Sequence, residues 1–562
     1  MTALPLRADA RDSDTTGAGP TVPAANPGPD RYPAGIKYII GNEACERFSF
    51  YGMRSILTLQ MVALYAALLH LEPKLAKALA TQHYHVFTAA VYALPMVGAI
   101  LSDRLLGKYR TILGLSLVYC AGHAVLAFAE GTLWGLYFGL ALIAVGSGGI
   151  KPCVSAHVGD QFSASNSHLV KKIFAIFYFT INFGSFFSYL VIPWTYRAYG
   201  PSVAFGIPGV LMFMATFVFW LGRNKFVHVR PAPGGRLGAY DALSSVLLFM
   251  SVGSLWFTGS LPVWSRIGIG LLSFSLGIAL FSFRARLQPD TGFLSILLHA
   301  VRNRKLRKPG GDLFTAAEPH FGEELADGPR AVLRILSIFA LVSVFWALFD
   351  QKGSTWVVQA SEMDGRAVLP FLGQVTIQAP QMGSLNPAMV MIFIPLLARW
   401  GYPLLARMGV GSPLRRMTLG MFIAALAYVA VALVQREMDA LVAPYLGLVP
   451  MWLIGMADLQ VLKLSIFWQI VPYFLITLGE VMVSVTGLEF AYTQAPRAMK
   501  ATVMGFWSLS VTVGSLLVAF LAGFQDLPRE MFFWTFAGLM ALAGVVFGFR
   551  ASFYKVRNYL QT

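Results

Sequence analysis

The chain has 562 residues, 56% of them hydrophobic and only 12% charged, with a net charge of +16 and a mean hydropathy of +0.63. A soluble protein carries about 25% charged residues, so the composition excludes a soluble globular domain, and the excess of Lys and Arg belongs to the loops of a membrane protein, with no nucleic-acid partner implied. Ten-residue alternating strand patterns, the mark of an outer-membrane barrel, are absent. What recurs instead is apolar runs of about 20 residues, the length a helix needs to cross the hydrocarbon core of a bilayer.

Residues 1–35 are polar, rich in Pro, Gly, Ala and Asp, and lack the apolar core of a signal peptide. They predict a disordered cytoplasmic tail. Membrane spans follow at 36–67, 81–102, 110–129, 133–158, 168–198 and 203–222, then a pair at 239–259 and 264–283, then 330–350, 387–406, 413–434, 465–493, 500–523 and 530–551. Basic residues gather in alternate loops: Arg104, Lys108 and Arg110; Lys171 and Lys172; Arg223, Lys225 and Arg230; a run from Arg284 to Lys308; Arg399, Arg407, Arg415 and Arg416; Arg497 and Lys500. All fall on one side, which the positive-inside rule makes the cytoplasmic side, together with both termini. The expected fold is an all-α polytopic membrane protein of 14 transmembrane helices. It has an N-terminal six-helix bundle (36–222), an inserted hairpin (239–283), a cytoplasmic linker (284–329), a C-terminal six-helix bundle (330–551) and a cytoplasmic tail (552–562). Two six-helix halves place a substrate site between them at mid-membrane. The hairpin shows no obvious buried ionisable residue and reads as peripheral to the pathway. Residues 435–464, with Arg436, Glu437, Asp439 and Asp458, read as a periplasmic loop with a surface-lying helix. Cys45, Cys120 and Cys153 lie in predicted spans without metal-ligand spacing, so neither a metal nor a redox role is expected.

The first span departs from the apolar pattern. Its stretch Glu43–Arg54 reads EACERFSFYGMR. Glu43, Arg47, Phe50, Tyr51 and Arg54 share one helix face, with Glu46 at its edge, and Glu43 precedes Arg47 by four residues, the favourable order for an ion pair. Charge in hydrocarbon costs roughly 2.5–3.5 kcal/mol per residue on insertion scales, so such residues pair with one another and line a water-filled cavity. Lys151, in GSGGIKPC of the fourth span, falls at a depth comparable to Arg47 and requires a carboxylate, for which Glu43 and Glu46 are the nearest supply. In the span 465–493, Glu480 sits near the middle with no basic residue beside it in sequence, and Ser484, Gly487 and Ala491 continue its face with side chains small enough to leave room for a ligand. Glu489 falls on about the opposite face, in a packing or gating position. A cavity with cations on one wall (Arg47, Arg54, Lys151) and a carboxylate on the other fits a zwitterion. Carboxylates that change partners also offer proton uptake.

Several stretches resemble known signatures. Gly98–Thr111, with Gly98, Asp103, Arg104, Gly107 and Lys108, resembles the cytoplasmic loop motif of the major facilitator superfamily. EACERFSFYG resembles the ExxERF motif of the proton-coupled oligopeptide transporter family. Gly146–Phe162 and Phe177–Ser185 look like that family's signature stretches, and Phe345–Ala360, Gln381–Met389 and Gly479–Lys500 look like its second-half motifs, closest to the animal-type branch. The hairpin 239–283 matches the insert that bacterial members carry. The resemblance implies a major facilitator fold and a non-enzymatic, proton-coupled symporter importing di- and tripeptides across a bacterial inner membrane, with the bilayer its surroundings, no cofactor beyond the coupling proton and no obligate protein partner. It implies proton coupling at Glu43, Glu46, Arg47, Lys151 and His85. It implies a peptide carboxylate held by Arg54 and Lys151, an amino terminus held by Glu480, hydrogen bonds from Tyr51, Tyr178, Asn182 and Asn386, and a side-chain pocket walled by Trp346. One position departs: where the family commonly has the first of two tyrosines, this chain has Phe50, and one hydroxyl is lost. The alternatives are a carrier of the same fold for another small solute, such as an amino acid or nitrate, and an intramembrane peptidase. No convincing nucleophile arrangement supports the latter, and His83 and His85 are too close in sequence for ligation at i, i+4.

Overall fold

The computed structural model describes residues 31–257, 261–288, 291–369, 373–442, 463–496, 499–524 and 527–554. The greater part of the two expected tails, Arg497, and the segment 443–462 that would hold the surface-lying helix and Asp458 lie outside the described residues.

Apolar runs in lipid become helices because each backbone polar group must find its partner within the segment. The first four are α1 (Ile36–Leu68), α2 (Pro73–Leu101), α3 (Lys108–Phe128) and α4 (Leu133–Asp160). The long helical stretch Val170–Leu221 turns back at Gly200, whose φ of +83° only glycine adopts without strain. It therefore supplies two spans, α5 (170–199) and α6 (201–221). The inserted pair is α7 (Gly235–Phe257) and α8 (Val263–Leu287). The second half comprises α9 (Glu318–Asp350), α10 (Ala379–Arg407), α11 (Pro413–Val442), α12 (Ile466–Gln494), α13 (Lys500–Ala522) and α14 (Arg529–Ser552). By length and hydropathy, 12 helices among the described residues are fit to cross a membrane. The charged face of α1 keeps it out of that count, and the turn at Gly200 divides one member in two, so the described residues hold the 14 helices of the six-two-six pattern.

Several spans run past their expected limits. α2 starts at Pro73, a residue suited to the first helical turn because it has no N–H to satisfy. α9 starts at Glu318, breaks at Gly322 and reaches Asp350; a 3₁₀ turn (Gln351–Gly353) and a short helix (Thr355–Ser361) follow. α11 continues to Val442, so Arg436, Glu437 and Asp439 belong to a helix end and not to a loop. Hydropathy loses such ends because they project beyond the apolar layer. A small antiparallel ribbon, β1 (Arg366–Leu369) with β2 (Gly373–Thr376), was not expected.

Each half has its own core. Ile56, Tyr84, Tyr119 and Phe205 are buried in the first, and Phe345, Trp356, Tyr428 and Phe533 in the second. Small residues allow close crossings: a Cβ on Gly98 of α2 would collide with the backbone of Gly149 of α4. The bundles have two ends. At the terminal end Gly35 abuts Gln161 and Phe226, and Lys108 pairs with Asp160 at 2.8 Å. At the far end Gln60 donates to the Glu130 carbonyl at 3.3 Å.

The hairpin corrects one expectation. α8 runs on to Leu287, so Arg284, expected at the start of the cytoplasmic linker, belongs to the hairpin, where it is 2% exposed and its Nε lies 2.7 Å from Asp241 of α7. The two residues are 43 positions apart by number and meet only because α7 and α8 fold back on each other, so no local pattern betrays the pair.

Candidate functional site

α1 builds one wall. Arg47 Nε lies 3.0 Å from Glu43 Oε1, and Arg47 Nη2 pairs with Glu46. Glu46 also accepts from Ser147 Oγ of α4 at 3.1 Å. All three charged residues are buried, and the cation is neutralised within two turns of its own helix. Lys151 forms no ion pair among the described residues. Its ammonium sits 3.9 Å from the centre of the Tyr92 ring and 5.5 Å from that of Phe50. The expected pairing of Lys151 with Glu43 or Glu46 is therefore not made in this structure, because both carboxylates face Arg47. Phe50 is the hub of this wall: Arg47 and Arg54 lie 5.9 and 6.0 Å from its ring centre. Three cations within 6.0 Å of one ring centre give the departure from the family pattern a physical setting. A phenyl ring offers the same π surface as a phenol without placing a hydroxyl among them.

Arg54, expected to be free for substrate, reaches across to the second half. Its Nη2 lies 2.8 Å from Asp350 Oδ1 at the end of α9 and 3.4 Å from Thr88 Oγ1, and its guanidinium stands 5.0 Å from the Tyr84 ring centre. Asp350 is 2% exposed. Close by, Thr58 donates to the Gly353 carbonyl at 2.8 Å, and His85 Nε2 is hydrogen-bonded to Ser354 Oγ at 2.8 Å. Gln381 donates to the Leu190 carbonyl at 3.0 Å. Farther out, Glu362 is held by Lys77 of α2 at 2.6 Å and by both arms of Arg529 of α14. These contacts shut the far end.

The other wall is built by α9, α10 and α12. Glu480 ends a helical segment (Ile470–Glu480) and is followed by a π turn (Val481–Val485) that contains half-buried Ser484. An extra residue per turn re-aims the helix face, and such turns gather at functional sites. Asn386 Nδ2 donates to Glu480 Oε2 at 2.6 Å and to Thr477 Oγ1 at 3.1 Å, while its Oδ1 accepts from Lys352 Nζ at 2.6 Å. Glu480 thus has a basic partner after all, at one remove. Asn386, expected to bind substrate, here bridges the two charges. Trp346 is buried against Phe349 and Trp507, with ring centres 5.5 and 6.0 Å away, and its indole N–H finds no partner among the described residues.

On α5, Asn182 donates to the Tyr178 carbonyl at 2.9 Å, and Tyr178 is 41% exposed. Tyr51 packs edge-on to Phe50 and lies 6.2 Å from Tyr189. Glu489 is exposed, and His83 is taken up by the hydroxyls of Tyr65 (2.7 Å) and Tyr137 (3.2 Å).

Asp350 and Lys352 were not singled out from sequence, although they stand inside FWALFDQKGSTW. The signal was available. Opposite charges two residues apart do not face each other on a helix, so each needed a partner elsewhere, and the structure supplies Arg54 and Asn386.

Two six-helix bundles that meet across a belt of buried, paired charges and close at one end define a membrane carrier of the major facilitator type. The comparisons narrow this. The model of the POT family matches residues 109–535. Peptide transporter family 1 of Drosophila melanogaster is 36% identical over 428 residues, which cover 73% of this chain and 49% of that protein, so the chain spans about half the length of the curated relatives it matches. The in meso crystal structure of the POT family transporter PepTSo is 40% identical, covers 93% of this chain and 98% of its own, and superposes with a TM-score of 0.71. The crystal structure of an auto-inhibited POT family peptide transporter is 37% identical, with coverage of 94% and 99% and a TM-score of 0.74. The chain belongs to the POT family.

Proposed function

We propose that this protein is a proton-coupled symporter that imports di- and tripeptides by alternating access. The reading rests above all on one observation: Tyr51 lies within electrostatic reach of Arg47 and Arg54 on the first half and of Glu480 on the second. A zwitterionic peptide places its carboxylate at Arg54 and Lys151 and its amino terminus at Glu480. Tyr51, Tyr178, Asn182 and Ser484 supply hydrogen bonds between these poles, and Trp346 walls the side-chain pocket.

With the basic loops in the cytoplasm, the far end faces the periplasm of a bacterial inner membrane, both termini are cytoplasmic, and this structure is a state shut to the periplasm. Protons are the coupling ion. They enter through His85 and one of Glu43 or Glu46. A proton on either glutamate weakens its hold on Arg47, which the other glutamate still neutralises, and once that proton is lost a Glu–Lys151 pairing reforms as the carrier resets. A peptide amine arriving at Glu480 competes with the Asn386 bridge and releases Lys352.

Reconstituted into proteoliposomes, the protein accumulates a labelled dipeptide only when a proton gradient is imposed, and Lys151→Ala removes the gradient-driven part. Equal accumulation with no gradient overturns proton coupling. A substrate panel on Glu480→Gln separates a peptide carrier, which loses uptake, from a carrier of nitrate or another anion, which does not need this carboxylate. Recovery of the peptide cleaved by purified protein would point to a peptidase.

A further inference from the structure

The two bundles meet along two seams, and the seams differ. The α2–α13 seam is closed over its whole length. Gln82 approaches Gly523 at the far end, Thr512 Oγ1 donates to the Ala89 carbonyl at 3.2 Å in the middle, and near the terminal end a Cβ on Gly505 would come within 3.3 Å of Met96. The α5–α10 seam is joined at its far end, by Gln381 to Leu190 and by Gly383 against the Tyr189 ring. Toward the terminal end Tyr178, Phe179 and Phe183 of α5 and Ile392, Leu396 and Trp400 of α10 are exposed.

The inserted hairpin and the linker lie at the terminal end of the closed seam, and each is fixed to a different bundle. The approach to α7 is stitched to the turn after α2: Ala232 N donates to the Asp103 carbonyl at 2.9 Å and Gly234 N to the Arg104 carbonyl at 3.1 Å. The Gly238 backbone is so close to Arg104 that a Cβ would collide with its carbonyl, and Asp241 joins Arg284 at 2.7 Å to Arg104 at 3.8 Å. The linker helix Phe293–Arg302 instead belongs to the second bundle. Ile296 and Ala300 are fully buried in that bundle's core, and the Phe293 ring stands edge-on to Phe506 of α13 with centres 5.8 Å apart. Beyond it, Arg330 grips Asp312 at 2.7 and 2.8 Å and Glu318 at 3.0 Å, and Lys308 reaches Glu318 at 2.6 Å. A hydrogen bond among the described residues crosses between the two bodies: Arg302 Nη2 donates to Ser282 Oγ of α8 at 2.9 Å.

We infer that the hairpin and the linker helix form a strap across the α2–α13 seam at the terminal end, so that this seam is the hinge and opening at that end is confined to the α5–α10 side. The physical reason is connectivity. A chain of n residues spans at most about 3.3–3.6 Å × n, and only residues 288–292 separate α8, which moves with the first bundle, from a helix that moves with the second. The bundles cannot part there without breaking either the Arg302–Ser282 bond or, where the linker helix stays with the hairpin, its seat on the second bundle against Phe506, and the short junction limits how far they separate. This assigns the insert a mechanical role in any rocking motion of the carrier, whatever its cargo.

The test is a pair of spin-label distances in the full-length protein in lipid, with Cys45, Cys120 and Cys153 replaced by alanine. Labels at Leu106 and Met504 report the strapped seam, and labels at Phe179 and Leu396 the other. Between acid and neutral pH, with and without a dipeptide, the first pair keeps one narrow distribution while the second gains a population shifted by about 5 Å, the scale of one helix turn. In Phe293→Ala with Arg302→Ala, the first pair gains a longer population as well. A first pair that widens as much as the second in the intact strap overturns the inference. So does a first pair that stays narrow once the strap is cut, because the seam is then held without it. Distances are read independently of uptake, so failure here is distinguishable from failure of the peptide-transport reading.

Discussion

The two halves neutralise their buried charge in different ways. In the first, Arg47 is answered by Glu43 and Glu46 from its own helix, both within the turn that precedes it. In the second, Lys352, Asn386 and Glu480 come from three different helices and are linked through an amide. A local ion pair survives any movement of one bundle against another. A chain assembled from three helices changes whenever a ligand or a packing shift takes one link away. In the proposed cycle the first half keeps its counterions on one helix while protons are exchanged, and the second responds to what enters the cavity. Arg54 and Asp350 belong to neither arrangement, since each is the other half's counterion.

The comparison breaks first at Arg54. Truncating one member of a buried pair leaves an uncompensated charge and costs about 3–5 kcal/mol. Arg54→Ala and Asp350→Asn should each abolish uptake and lower the thermal midpoint in detergent. The pair Arg54→Met with Asp350→Leu should regain most of the midpoint while transport stays lost. Full stability in either single variant would show that the cross-bundle pair is not closed in the membrane.

Glu480→Gln comes next. Hydrogen bonds to charged groups contribute about 1.5–3 kcal/mol, and the change unlinks Lys352 from the far side of the chain. Dipeptide affinity should fall by one to two orders of magnitude, about 1.4 kcal/mol per factor of ten, in a binding titration. The same titration on Glu43→Gln should show a smaller loss, because the Arg47 cluster retains Glu46.

Phe50→Leu sharpens the role of the aromatic hub. Cation–π contacts are worth about 0.5–2 kcal/mol, and three cations share this ring. A lowered thermal midpoint with binding reduced only severalfold is expected. An unchanged midpoint would leave Phe50 as mere volume.

The smallest effect lies at the far-end clamp. Burial pushes the Glu362 carboxyl up, but the hydrogen bonds and charges of Arg529 and Lys77 outweigh this and hold it below its ordinary value of 4.5. A depressed carboxyl contributes stability above that ordinary value and loses it as the pH falls through the lower folded value. The clamp therefore stays closed from neutral pH down to about 4.5 and loosens only in stronger acid. Partly exposed pairs contribute about 0.2–1 kcal/mol. The midpoint difference between wild type and Glu362→Gln should be small and level above that pH and should vanish below it. A difference that changes between pH 7 and 5 would make the clamp a proton sensor in the working range.

The sequence by itself determined that the chain lies in a membrane, the number and order of its spans and the charged face of α1. Each of these is written in local periodicity, because a helix in lipid satisfies its backbone within its own segment, and a residue four positions away is a neighbour whatever the fold. The tertiary structure alone decided the partners. Lys151 rests on Tyr92 and not on a glutamate, Glu480 reaches a cation through Asn386, and the hairpin carries a buried pair between Asp241 and Arg284. Arg54 and Asp350 are 296 residues apart. A contact at that separation is fixed by how two bundles dock. Which residues dock depends on the conformational state as much as on the chain, and nothing in hydropathy or spacing records it.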